Sequence, residues 1–219
     1  FYSKGRKITI KGFIDRVDIC DNEFRIIDYK TGKSSSTFDD FSDVANGKKI
    51  QLFIYLMAYE KISNKKPVGV FYMPILNSFS KENSLELYKL QGVMEESNVT
   101  LLNFDDQLSE PSYVSNIVNA KTSKDGNIVF NNKMINESDF HKISEYSFDL
   151  LKNACDNILD GVIKPYPLGK DLNSLQCKFC SYKAICGFSE LYGDNYKEEL
   201  KVSDMQKFNE IIEGDADDK

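Results

Sequence analysis

Gly12-Phe13-Ile14-Asp15-Arg16-Val17-Asp18-Ile19, a break at Asp21-Asn22, and then Glu23-Phe24-Arg25-Ile26-Ile27-Asp28-Tyr29-Lys30-Thr31-Gly32 decide how this chain is read. β-Branched and aromatic residues crowd both runs, which favours extended backbone, and Asp-Asn is a turn signal, so the pair predicts a hairpin. The first run, taken from Lys7, predicts a strand or two interrupted near Gly12. Gly32 and the serines at 34–36 close the second run in a loop. On a strand, residues two apart share a face. Asp28 and Lys30 therefore project together, Ile27 and Tyr29 face the other way, and Asp15 stands as a carboxylate in an otherwise apolar strand. Asp18, three residues from Asp15, faces opposite to it and reads as structural or salt-bridged.

Two aspartates on adjacent strands beside a lysine suggest a definite chemistry. Hard Mg²⁺ takes oxygen ligands, commonly one or two carboxylates plus water, and can polarise a phosphoryl oxygen and acidify an attacking water. A neighbouring ammonium can orient that water or stabilise developing negative charge. Taken alone, Asp-x-Lys carries little information. Pairing of Asp15 with Arg16 or Arg25 would account for its position without any metal.

Ile50 to Ser63 is apolar around most of a helical wheel, which predicts a helix buried against a sheet, with Pro67 beyond its end. Gln51 and Tyr55, four apart, share a face of that helix. The amide is the odd residue there and, if buried, must find hydrogen-bond partners. Val68 to Leu76 predicts a core strand and residues 84–90 another. Between 91 and 136 the pattern is weak, apart from a hairpin turn at Asp125-Gly126-Asn127, and the stretch reads as an elaboration. Ser138 to Leu159 predicts a helix capped by serine and stopped by Gly161 and Pro165. His141, the one histidine, reads as a surface residue, because nothing here completes a histidine-based triad.

The 219 residues, 41% hydrophobic, suffice for one main core. No run is long and apolar enough to cross a bilayer and no apolar targeting region opens the chain, so a cytoplasmic protein without a membrane partner is expected. An opening at Phe1-Tyr2-Ser3 reads as a piece of a longer polypeptide. The net charge of -6 argues at first sight against a basic grip on nucleic acid. Residues 210–219, however, hold five carboxylates against Lys219, and the remainder carries only -2. That end reads as solvated and frayed.

Of five cysteines, Cys177, Cys180 and Cys186 cluster. An odd count in such a chain argues against disulfides and toward soft-metal ligation. Three thiolates can hold three corners of an iron-sulfur cluster or a zinc site, neither complete without a fourth ligand. Cys20 and Cys155 read as packed thiols.

Gly12 to Asp18, Ile26 to Gly32 and Gln51 to Leu56, in that order, resemble the RecB-type branch of the PD-(D/E)XK nucleases. The resemblance implies an α/β, restriction-endonuclease-like mixed sheet flanked by helices. It implies a metal site of Asp15, Asp28 and Tyr29 that binds Mg²⁺ or Mn²⁺, with Lys30 in catalysis and Gln51 and Tyr55 turned toward the site or the DNA backbone. Gly161 to Pro165, Cys177-x-x-Cys180 and Cys186-Gly187-Phe188 resemble the end of AddB-type helicase-nuclease subunits. There, three such cysteines join an upstream fourth to bind a [4Fe-4S] cluster; no cysteine precedes Gly12 here, so the cluster is expected to be incomplete.

The resemblance thus implies a nuclease core at 1–165, a cysteine module at 166–190 and a helix with an acidic tail at 191–219. The implied activity is a DNA exonuclease that resects double-strand breaks for recombinational repair, acting on the 5′-ended strand beside an AddA-type partner subunit. A CRISPR-associated exonuclease shares similar motifs. A non-catalytic, cluster-stabilised DNA-binding or docking module is the alternative from another class, and it has no need of two carboxylates and a lysine in one pocket.

Overall fold

The computed structural model describes residues 1–32, 38–75, 89–118 and 120–217. The serines at 34–36 and most of the strand expected at 84–90 lie outside them; Lys89 and Leu90 are irregular. After a short N-terminal hairpin, β1 (Tyr2–Ser3) and β2 (Arg6–Lys7), come β3 (Arg16–Cys20) and β4 (Glu23–Lys30). Asp21, at φ +50°, turns the chain between the latter two. Helix α1 (Ser42–Ala45) and helix α2 (Gln51–Ser63) cross over to β5 (Lys66–Pro74). Then come β6 (Gln91–Glu95), α3 (Asn98–Phe104), the small hairpin β7 (Lys121–Thr122) and β8 (Ile128–Val129), and β9 (Met134–Ile135). The long α4 (Glu137–Leu159), β10 (Leu168–Gly169), α5 (Lys183–Cys186), β11 (Lys197–Glu198) and α6 (Met205–Asp217) complete the described chain.

Five strands form one mixed sheet in the order β3-β4-β5-β6-β9, with β4 and β5 parallel and β3 antiparallel to β4. Parallel neighbours need a crossover, which α1 and α2 supply. Alternation along β4 then sorts its side chains. Phe24 and Ile26 face a core shared with Leu52, Phe53 and Leu56 of α2, Val70 and Tyr72 of β5, and Phe140 and Ile143 of α4. Ile27 faces a second core with Phe71, Met94, Leu101, Leu108 and Val118. Helices and loops therefore cover both faces, which is why β4 carries Ile26-Ile27 side by side instead of alternating apolar with polar.

The stretch 91–136, expected as an elaboration, gives β6 and β9 to the sheet and covers its second face. Strands of five and two residues hold too little alternation to register as a pattern. Gly92 is needed here: a Cβ on it would lie 1.9 Å from Val70 O of the paired strand. The hairpin turn at Gly126, φ +80°, is as expected. Helix α4 begins one residue before Ser138 and is capped by the Asn136 side chain, which accepts from Asp139 N, not by serine. Asparagine is an equally good cap.

The last segment departs most from expectation. In place of a frayed end, α6 runs to Asp217, and Val202 and Phe208 are sealed in the main core, Phe208 against Phe41 and Tyr146. Asn46 donates to Leu200 O and accepts from Leu200 N, while Val202 N donates to Ser42 Oγ. Among the described residues no helix is long and apolar enough to cross a membrane.

Candidate active site

Lys30 ends β4, and Asp28 stands two residues before it with its Cα paired to Tyr72 of β5. Both side chains lie on the α2 side of the sheet, at the end where β4 and β5 finish. Asp28 is buried, and Lys30 Nζ lies 2.6 Å from its Oδ2. That oxygen is closed to solvent and has the Lys30 ammonium as its partner, so a cation bound there would share it with Lys30 or displace it. Asp15 sits one residue before β3, not within it as expected. The hairpin register of Arg16 with Ile27 sets Asp15 across from Asp28. Val17, two residues on, packs into the same core as Ile26. The ladder has ended there, and Asp15 Oδ2 instead accepts from Tyr29 N at 2.9 Å. A backbone N–H left over at the strand end thus holds the carboxylate beside the Asp28-Lys30 segment.

Asp18 belongs to the other face. It accepts from Arg25 at 2.9 and 3.1 Å and from Arg16 at 2.6 Å, and these guanidiniums hold its carboxyl below the usual range against the opposing effect of burial. The arginines that could have claimed Asp15 are therefore engaged elsewhere. Tyr29 turns its phenol toward Arg16, so a role for this residue at the metal would fall to its backbone.

Gln51 begins α2 and is exposed; its Nε2 donates to the Tyr55 hydroxyl at 2.9 Å. The same tyrosine explains Gly12. A Cβ on Gly12 would lie 2.6 Å from Tyr55 Cε1 and Oη, closer than any real contact. Gly12→Ala is expected to displace the ring, break the Gln51–Tyr55 bond and cost about 1–3 kcal/mol. Urea unfolding of Gly12→Ala, Tyr55→Ala and the double variant checks it, because removal of the ring makes room and the two losses should then fall short of their sum. Full additivity would sink this account of the glycine.

Three groups that the sequence did not single out complete the surroundings. Tyr72 has Lys30 Nζ 5.5 Å and Lys49 Nζ 5.7 Å from its ring centroid. Burial, then the negative fields of Asp28 and Asp43, push its hydroxyl well above the usual range and keep it protonated. Lys49 pairs with Asp43 at 2.8 Å. The Lys133 ammonium is held below its usual range by burial and by Lys49 and Lys89, against the pull of Asp39 and Asp40. Lys30 and Lys49 thus both border the Tyr72 ring next to Asp28, with Asp43 beside them, and Lys133 lies among Asp39, Asp40, Lys49 and Lys89. The Lys48-Lys49 pair just before α2 was the available signal; Lys133 had none.

A model of the PD-(D/E)XK nuclease superfamily matches residues 1–187. The chain belongs to the PD-(D/E)XK nuclease superfamily. Similar curated proteins include one from Clostridium tetani, 34% identical over 220 residues, covering 89% of this chain and 18% of that protein. Another, from Caldanaerobacter subterraneus, is 32% identical over 216 residues, with the same shares. A third, from Bacillus cereus, is 32% identical over 241 residues and covers 96% of this chain and 20% of its own. Each is named as one subunit of an ATP-dependent helicase/deoxyribonuclease. The chain spans about a fifth of the length of these relatives.

Two cofactors can be weighed against this PD-(D/E)XK domain. The all-oxygen donor set of Asp15 and Asp28 fits a hard divalent cation that keeps most of its waters. Cys177, Cys180 and Cys186, the three thiols that the resemblance assigns to an iron-sulfur cluster, lie in α5 and in the turns just before it. Cys177 is half-buried and Cys180 and Cys186 are exposed, all as free thiols. No three His, Cys, Asp or Glu side chains among the described residues are gathered closely enough to hold a metal.

Proposed function

We propose that this domain hydrolyses DNA phosphodiesters with a divalent cation, as the nuclease portion of a helicase-nuclease subunit of the kind its relatives are named for. The single observation that carries the reading is the buried Asp28 carboxylate, ion-paired to Lys30, next to an Asp15 pinned in place by a backbone N–H. Two carboxylates set across from each other on a hairpin repel unless a cation or a proton lies between them.

Asp15 and Asp28 would hold the cation, with the Tyr29 backbone as a further oxygen donor. Such a cation supplies Lewis-acid polarisation of the phosphoryl oxygen and a more acidic water. The chain's own residues do the rest. Lys30, fixed by Asp28, presents N–H donors to the attacking water and to the developing charge. Lys49 and Lys133 draw the phosphate backbone toward the strand ends, and the Gln51–Tyr55 pair leaves amide and phenol groups at the helix start to steer it. Resection of double-strand breaks in recombinational repair, beside an AddA-type partner subunit, is the setting that the resemblance to AddB-type subunits implies. The cysteine segment is given no part in cleavage.

The test is degradation of linear duplex and single-stranded DNA against covalently closed circles. Release of nucleotides with Mg²⁺, abolished by chelation and restored by Mg²⁺ or Mn²⁺, is expected for the linear substrates. Cleavage that persists without any divalent cation would remove the basis of the assignment.

A further inference from the structure

We propose that Tyr72 is a positioning residue for Lys30: its ring keeps the ammonium at the site when the Asp28 carboxylate is shared with a cation. This rests on the nuclease reading and deepens it. The site contains a competition. Asp28 Oδ2 is closed to solvent and has the Lys30 ammonium 2.6 Å away, yet the same carboxylate is one of the two that would hold the metal. Like charges repel, so a divalent cation on Asp28 weakens the contact that fixes Lys30. The Lys30 side chain is about a quarter exposed, so it can turn away to water. A lysine that has turned away orients nothing.

The second hold comes from the neighbouring strand. β4 and β5 are parallel with Asp28 paired to Tyr72, and residues paired on adjacent strands project to one face. Tyr72 packs in the main core with Ile26 and Val70, the face that Asp28 and Lys30 share. Lys30 Nζ lies over the Tyr72 ring, 5.5 Å from its centroid. An ammonium within about 6 Å of an aromatic face is attracted by the ring quadrupole, more strongly where water is kept away, and Tyr72 is buried. Burial and the fields of Asp28 and Asp43 also keep its hydroxyl protonated, so the ring stays neutral. A neutral ring does not compete for the metal.

Lys49 supplies an internal contrast. Its Nζ stands 5.7 Å from the same centroid, but it pairs at 2.8 Å with Asp43, a carboxylate given no part in holding the cation. Loss of the ring should therefore release Lys30 and leave Lys49 in place.

The experiment reads both lysines by NMR in protein carrying ¹³C-labelled lysine and aspartate, assigned with Lys30→Arg, Lys49→Arg and Asp28→Asn. Protons over an aromatic face are shifted upfield, so both ε-methylene signals should lie upfield of the surface lysines. Mg²⁺ added without DNA, so that nothing is cleaved, should move the Asp28 carboxylate carbon while Lys30 keeps its upfield shift. With linear DNA, Tyr72→Leu should lower kcat about tenfold with KM within about twofold, and Tyr72→Phe should restore the rate. Should Tyr72→Leu not fold, the parent and Tyr72→Phe spectra decide alone. A Lys30 signal that is never upfield, Tyr72→Phe as slow as Tyr72→Leu, or a parental kcat in folded Tyr72→Leu would each overturn the proposal. If Asp28 responds to Mg²⁺ but Lys30 leaves the ring, only the positioning has failed. An Asp28 signal indifferent to Mg²⁺ removes the nuclease reading, and this inference with it.

Discussion

Asp28→Ala should lose DNA cleavage by at least about a hundredfold, the scale seen when one charge-stabilising group is taken from a preorganised site, while melting within about 3 °C of the parent protein. The change removes one of two carboxylates able to hold the cation and frees Lys30 from the partner that fixes its ammonium at 2.6 Å. Stability should hardly move. The Lys30 side chain is about a quarter exposed, so it can turn to water instead of being stranded, and a buried carboxylate that lacks a full set of partners contributes little to the fold. Initial rates on end-labelled linear DNA, alongside a thermal melt, give both numbers. Near-parental cleavage by a well-folded Asp28→Ala protein would show that the carboxylate pair is structural.

Arg25→Ala should behave in the opposite way, lowering unfolding free energy by about 3–5 kcal/mol, the range for breaking a buried ion pair from one side. The Arg25 residue is 2% exposed; it donates to Asp18 and to Ile117 O and lies over the Phe71 and Phe104 rings at 5.5 and 4.8 Å. Truncation leaves Asp18 leaning on Arg16 alone, leaves Ile117 O without that donor and opens a void between two aromatic rings. Urea unfolding is the measurement, and a midpoint unchanged from the parent would refute the structural role. Together the two variants should separate two aspartates of the hairpin: Asp28 with activity, Asp18 with folding.

That separation was legible from strand alternation, because three residues on a strand reverse the face. So were the β3–β4 hairpin, helix α2 and helix α4, each of which repeats its periodicity several times over. Asp15 illustrates the limit. Its residue type and spacing marked it, but that it lies outside the ladder and is held by the Tyr29 N–H depends on where hairpin pairing stops, which alternation does not encode. Tyr72 was invisible for another reason. It reaches the site from β5, and only the sheet order brings that strand beside β4. β6 was hidden by brevity.

The closing contacts of α6 bear on how the chain reaches this structure. Asn46 and Ser42 bond to Leu200 and Val202 across sequence separations of 154 and 160 residues, and Phe208 fills the space between Phe41 and Tyr146. Such distant closures pay their loop entropy before any packing rewards them, which slows folding. During synthesis, with the N-terminal part emerging first, α1 must wait for residues 200–208 before its inner wall is covered. Until then Phe41 and Val44 remain exposed apolar surface, the state in which a nascent chain is most open to chaperones and to aggregation.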